Sequence, residues 1–228
     1  MKRVAILQSN YIPWKGYFEM INMVDEFIFH DDLQYTKNDW RNRNLIKTSN
    51  GAKWLTIPCG TNEKRLICEV ELNDKSWQRK HWNQIVNNYR KAKYFKDYYK
   101  IFEEIYLNKS WDNLSELNQY LIKFISREIL NIKTKFLDSR DYNLKFKKSE
   151  RVLEILLKVN ANVYLSGYSA KNYLKLQDFI DNEIHIEWMD YTGYLEYNQL
   201  FPPFEHAVSI LDLIFNEGEN AKKYLKSF

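Results

Sequence analysis

The chain has 228 residues, 45% of them hydrophobic and 28% charged, which suits one sizeable globular core. Its net charge of +4 is spread along the sequence, and that argues against a nucleic-acid partner. No run approaches the roughly 18 apolar residues of a membrane span, and the start, MKRVAILQSN, is too short in apolar residues for a signal-peptide core, so a cytoplasmic location is expected.

Residues 3–8 (RVAILQ) read as a buried strand. From Pro13 the spacing becomes helical, with Phe18, Ile21, Met23 and Val24 on one side, and EFIFHDD (26–32) reads as a second strand, completing a βαβ unit. LIKT and AKWLTIPC flank Ser49-Asn50-Gly51, which predicts a hairpin with positive φ at Asn50 and Gly51. RLICEVEL (66–73) alternates and is expected to extend that small sheet. Residues 76–130 read as helices, an insertion or cap, in a stretch without Gly or Pro. Strands return at TKFLD (134–138), NVYLSG (162–167) and HIEWMD (185–190). They alternate with the helices SERVLEILLKV, capped by Ser149, and SAKNYLKLQDFID. A last helix, FEHAVSILDLIFNEG, stops near Gly218. The expectation is a single α/β domain over 1–228: a mainly parallel sheet with flanking helices, a small hairpin and a helical insertion.

Open α/β sheets bind ligands beyond the carboxyl ends of their strands. The turn QSNYIPWKGYFEMI (8–21) is therefore the first candidate site. Gly16 permits close approach to a helix start, where free N–H groups suit phosphate. Trp14 and Tyr17 either stack on a ligand or pack between helix and sheet. The order Trp14-Lys15-Gly16-Tyr17 resembles the His-x-Gly-His turn of adenylyl-transferring α/β enzymes, a nucleotidyltransferase-like start. The glycine matches, and both histidines, which contact ATP phosphates in those enzymes, are replaced.

Asp31 and Asp32 end the second strand, where a carboxylate accepts a sugar hydroxyl or an amine proton, or else caps a turn. Arg41, Arg43 and Lys47 follow as a pyrophosphate clamp or an exposed strand face. Tyr35 stacks or packs. Ser166, Gly167 and Ser169 repeat the strand–bend–helix logic of an anion site, with Ser169 equally a plain cap. Ser209 and Asp212 share one face of the last helix, and His206 is the nearest group to a titrating base. The four histidines lack ligand spacing, so no metal is expected, and Cys59 and Cys68 read as free thiols.

Several stretches in one order carry a further likeness: Q-x-x-Y-x-P-W-x-G-Y-F (8–18), DEFIFHDDLQYTKNDWRNRNLIKT (25–48), WLTIP (54–58), YLSG (164–167) and SILDLIFNEG (209–218). Together they resemble the WbqC-like protein family nearly end to end, with Tyr168 standing where a proline is expected. The resemblance implies work on nucleotide-linked amino sugars of bacterial surface polysaccharides such as O-antigen. On that footing the expected activity is acyl or aminoacyl transfer to the sugar amine, with ATP or an activated acyl donor as co-substrate. The alternatives are a non-catalytic nucleotide-sugar-binding protein and a single-strand nucleic-acid binder. Gln8 and Tyr11 join the binding candidates. The first two strand tips and the Ser166–Ser169 bend are expected to converge on one anion-binding hollow.

Overall fold

The computed structural model describes residues 1–228. In chain order the elements are β1 (Arg3–Leu7), α1 (Lys15–Asn22), β2 (Glu26–Phe29), β3 (Arg43–Thr48), β4 (Gly51–Thr56), α2 (Ser76–Tyr89) and α3 (Phe95–Glu103). They continue as α4 (Leu114–Phe124), β5 (Lys135–Asp138), α5 (Lys148–Lys158), β6 (Val163–Ser166), α6 (Leu176–Asp181), β7 (His185–Trp188) and α7 (Ile210–Glu217). The main sheet has the order β5-β2-β1-β6-β7, all parallel, and β3 and β4 form a separate antiparallel hairpin. The structure is thus the α/β fold with flanking helices and a small hairpin that the alternating pattern implied.

The three central strands, β1, β2 and β6, bury both faces. Ala5, Phe27, Phe29 and Leu165 point into a 44-residue cluster shared with α1, α2, α3, α4, α7 and the hairpin. Val4, Ile6, Ile28 and Tyr164 point the other way, into a 13-residue cluster under α5 and α6. This is the period-two alternation of a strand covered on both sides. The helices of 76–130 contribute Trp82, Phe95, Phe102 and Ile125 to the larger cluster.

Local differences have physical reasons. Only Gly51 has positive φ in the hairpin loop, because the register pairs Thr48 with Gly51 and leaves Ser49-Asn50 as the loop. RLICEVEL does not join the hairpin: Ile67–Glu69 forms a 3-10 turn, and Leu66 and Glu71 make isolated bridges to Gln34 and Asn113. Ser149 lies inside α5 and accepts the Lys175 N–H at 2.9 Å instead of capping. No helix is long and apolar enough to cross a membrane.

β1 shares four residue pairs with β2 but only two with β6, Arg3–Val163 and Val4–Tyr164. The sheet therefore parts at the carboxyl end between β1 and β6, where the strand order reverses. That is the switch point at which such sheets place ligands.

Candidate functional site

The turn after β1 is built by its neighbours. Asn44 of β3 donates to the carbonyls of Tyr11 and Ile12 at 3.0 Å each and accepts the Leu45 N–H at 2.8 Å. These bonds hold Ile12 at φ 36°, a left-handed conformation disfavoured for a β-branched residue. The Ile210 N–H reaches the Pro13 carbonyl at 2.9 Å, so α7 closes the turn from the far side. Gly16 is needed for an internal reason: a Cβ there would run into the Trp14 indole, which folds across the helix start. The glycine leaves room for the tryptophan.

Between these parts lies a cavity of about 300 Å³ lined by Asn10, Pro13, Trp14, Trp40, Asn44 and Ala207. Arg41 donates to Asn10 Oδ1 at 3.0 Å and pairs with Asp39. Trp14 packs on Tyr191 and Tyr194 at 5.3 and 5.9 Å between ring centroids.

Beside that wall is a residue the sequence reading passed over. The Lys15 side chain is buried; its ammonium lies 4.9 Å from the Tyr194 ring, 5.5 Å from Tyr197 and 5.9 Å from Phe204. Its Nζ donates to the Leu195 carbonyl at 3.1 Å, and it has no carboxylate partner within salt-bridge distance. Burial lowers its pKa to about 8, against the opposing pull of Asp212, Glu19 and Glu196. The sequence carried no signal for this: only the structure shows that every residue from Lys15 to Ile21 is buried, so that a lysine stands on a helix with no solvent face.

The other candidates fall into groups. Gln8 accepts the Tyr17 hydroxyl through its carbonyl, and both rings of Tyr11 and Tyr17 are buried. Tyr11 Oη meets His81 Nδ1 at 2.9 Å and Tyr106 Oη at 2.7 Å, while His81 Nε2 donates to the Thr56 carbonyl. That carbonyl fixes the His81 tautomer, so Tyr11 donates to Nδ1. Ser209 caps α7 by accepting the Leu211 N–H at 3.2 Å. Asp212 is fully buried and accepts from Tyr197, Tyr89 and Gln199 at 2.7, 3.0 and 3.0 Å; burial raises its pKa. Lys47, also buried, reaches the Pro203 carbonyl. His206 is exposed and rests on Phe204 at 4.6 Å; partial burial and then Lys15 lower its pKa.

Asp31 is enclosed, accepting the Ser9 N–H at 2.7 Å, Ser115 Oγ at 2.5 Å and Gln119 Nε2 at 3.1 Å. Asp32 is held by Arg151 and Ser139. Both carboxylates thus tie β1, β2, α4 and α5 together and line no part of the cavity. Tyr35 is buried elsewhere, under Arg65. Arg43 lies flat on Trp54 at 4.1 Å. Ser166 is buried, Gly167 leads into a five-residue 3-10 turn, and Ser169 is exposed. None of the three lines the cavity, so the expected single hollow does not form around them.

Comparison with known proteins places these features in context. The description of the WbqC-like protein family matches residues 8–224. A Mycobacterium tuberculosis protein described as uncharacterized is 45% identical over 228 residues, covering 99% of this chain and 98% of that protein. No solved structure matches the chain.

Proposed function

The chain belongs to the WbqC-like protein family, and from that premise we propose that it binds a nucleotide-linked amino sugar beyond β1 and forms an amide on the sugar's amino group. The observation that carries this reading is Lys15, a buried amine of pKa about 8 that directly follows Trp14, one of the two tryptophans walling the cavity. The indoles of Trp14 and Trp40 offer flat faces of the kind that cover a sugar ring, and about 300 Å³ is room for a monosaccharide-sized group.

In the reaction the sugar nitrogen attacks the acyl carbon of an activated donor. The N–C bond forms, the bond from acyl carbon to leaving group breaks, and the amine proton passes to neutral Lys15. With a pKa of about 8, roughly one Lys15 in ten is neutral at pH 7 and most are above pH 9. The rings around it exclude water and keep the amine available. A non-catalytic nucleotide-sugar-binding protein is the second reading, and it is favoured by the bond from Lys15 to the Leu195 carbonyl, which ties the amine to a residue outside the cavity lining.

Calorimetry with nucleotide-linked amino sugars, joined to mass-spectrometric detection of the acylated product, tests the proposal. Binding is expected to weaken at least tenfold in Trp14→Ala, and turnover in the wild type is expected to climb with pH to a plateau above about 8. Absence of binding to any such sugar overturns the whole reading. Binding with no turnover from any acyl donor leaves the binding-protein reading in its place.

A further inference from the structure

A second hollow, of about 380 Å³, runs between the outer edge of β4 and the first turns of α2. We infer that this groove is a phosphate subsite, which takes the diphosphate of the ligand whose sugar fills the first cavity. The phosphate site stands on its own observations, while the identity of the ligand rests on the function proposed above.

Two lysines on the groove wall have no acidic partner. Lys53 Nζ is met only by the Gln84 amide oxygen at 3.2 Å, and Lys80 Nζ only by the Ser76 hydroxyl at 3.1 Å. Such ammonium groups have neutral partners that an anion displaces readily. Trp77 lines the same groove and is 2% exposed, and its indole N–H has no acceptor. A buried donor left unsatisfied points to a missing acceptor. The one carboxylate on the wall, Asp74, accepts the Ser76 N–H at 2.8 Å; hydrogen bonding from Ser76 first, and then the Lys80 charge, lower its pKa, and it forms no salt bridge with either lysine. His81, also on the wall, is kept neutral by burial, with a pKa of about 4. β4 is paired only to β3, and on its groove side the Thr56 carbonyl is met by His81 Nε2.

The two hollows meet at an aromatic pair. Trp40 lines the first and Trp54 the second, with ring centroids 5.4 Å apart. Arg43 lies flat on Trp54, and its Nε is buried without a partner. The first cavity has no cation in its lining. Across this pair a diphosphate-linked sugar seated there meets the positive charges of Arg43, Lys53 and Lys80, none of them in a salt bridge.

The test titrates inorganic pyrophosphate into the whole protein and follows the indole ¹⁵N–¹H signal of Trp77, assigned by its loss in Trp77→Phe. A saturable shift is expected, weakened at least tenfold in the double variant Lys53→Gln/Lys80→Gln and unchanged in Lys171→Gln, which alters a lysine remote from the groove lining. An unmoved Trp77 signal, or a double variant that titrates like the wild type, overturns the subsite. Sodium acetate at the same concentration should leave the signal still; an equal shift overturns the preference for phosphate. A nucleotide-linked sugar that moves Trp77 but not Trp14 sinks the sugar-cavity reading and leaves the subsite standing. The reverse pattern does the opposite.

Discussion

Two polar regions sit at the carboxyl edge of the sheet, and they differ in how their charges are met. At the ends of β2 and β5 every carboxylate is answered: Asp31 by Ser9, Ser115 and Gln119, Asp32 by Arg151 and Ser139, Asp138 by Arg140 and Gln119. Around the turn after β1, Lys15 and Lys47 are buried with no carboxylate in contact, one among aromatic rings and one on a backbone carbonyl. A fully satisfied polar network rigidifies the fold. A buried amine whose pKa has been driven down is a group poised to exchange a proton. Polarity alone therefore does not mark the site; polarity left unpaired does.

Removing Asp31 should break the first region most severely. Asp31→Ala takes the acceptor from the Ser9 N–H after β1 and from Ser115 on α4, and one of the acceptors of Gln119 on the same helix, and a loss of about 4 kcal/mol in urea unfolding is expected. A variant as stable as the wild type but inactive would invert the comparison and return Asp31 to catalysis.

Acid should act next. His81 has a folded pKa of about 4 against 6.5 for an ordinary histidine, because burial opposes its charge. Between those values the unfolded chain binds more protons, so stability rises with pH from about 4 to 6.5, by about 3 kcal/mol from this residue. Unfolding across that range should be visibly flatter in His81→Gln, which keeps a donor and an acceptor.

Lys15→Met sharpens the second region. Turnover is expected to fall at least about a hundredfold, while the midpoint of unfolding holds or rises, because a desolvated charge has been removed. The sign for Lys15 is again that of a lowered base. The unfolded chain binds more protons between pH 8 and 10.5, so the wild type should gain stability over that window and the variant should not. A marked loss of stability with turnover intact would make Lys15 a packing residue.

The smallest change is Gly16→Ala. The added methyl meets the Trp14 indole and pushes it from the cavity wall, at about 1–3 kcal/mol. Sugar affinity should drop more than stability does. Unchanged affinity would detach Trp14 from the ligand.

Much of the frame was legible. The apolar run RVAIL and the helical spacing from Pro13 placed β1 and α1 within a residue or two, and β2 begins at Glu26 as expected but ends at Phe29, three residues before Asp32, because both faces of a central strand must be buried and the polar HDD leaves the sheet. The carboxyl-edge turn was likewise legible as a candidate ligand position, and Trp14 does line a cavity of about 300 Å³ there. The partners of each charged residue were not. Asp31 meets Ser115 and Gln119 from a helix more than 80 residues away, and Lys15 meets rings about 180 residues on. Ser166–Ser169 reads locally like the turn after β1, yet it ends against Trp188, with Lys171 over Tyr168 at 3.7 Å.

By itself the sequence determined the α/β class, most of the run of strands and helices and the position of the turn after β1, since these follow from periodicity and from backbone preferences carried by each residue. Tertiary structure alone decided which charges are neutralised and which stand unpaired. That outcome depends on side chains distant along the chain, and on the dielectric that their packing creates.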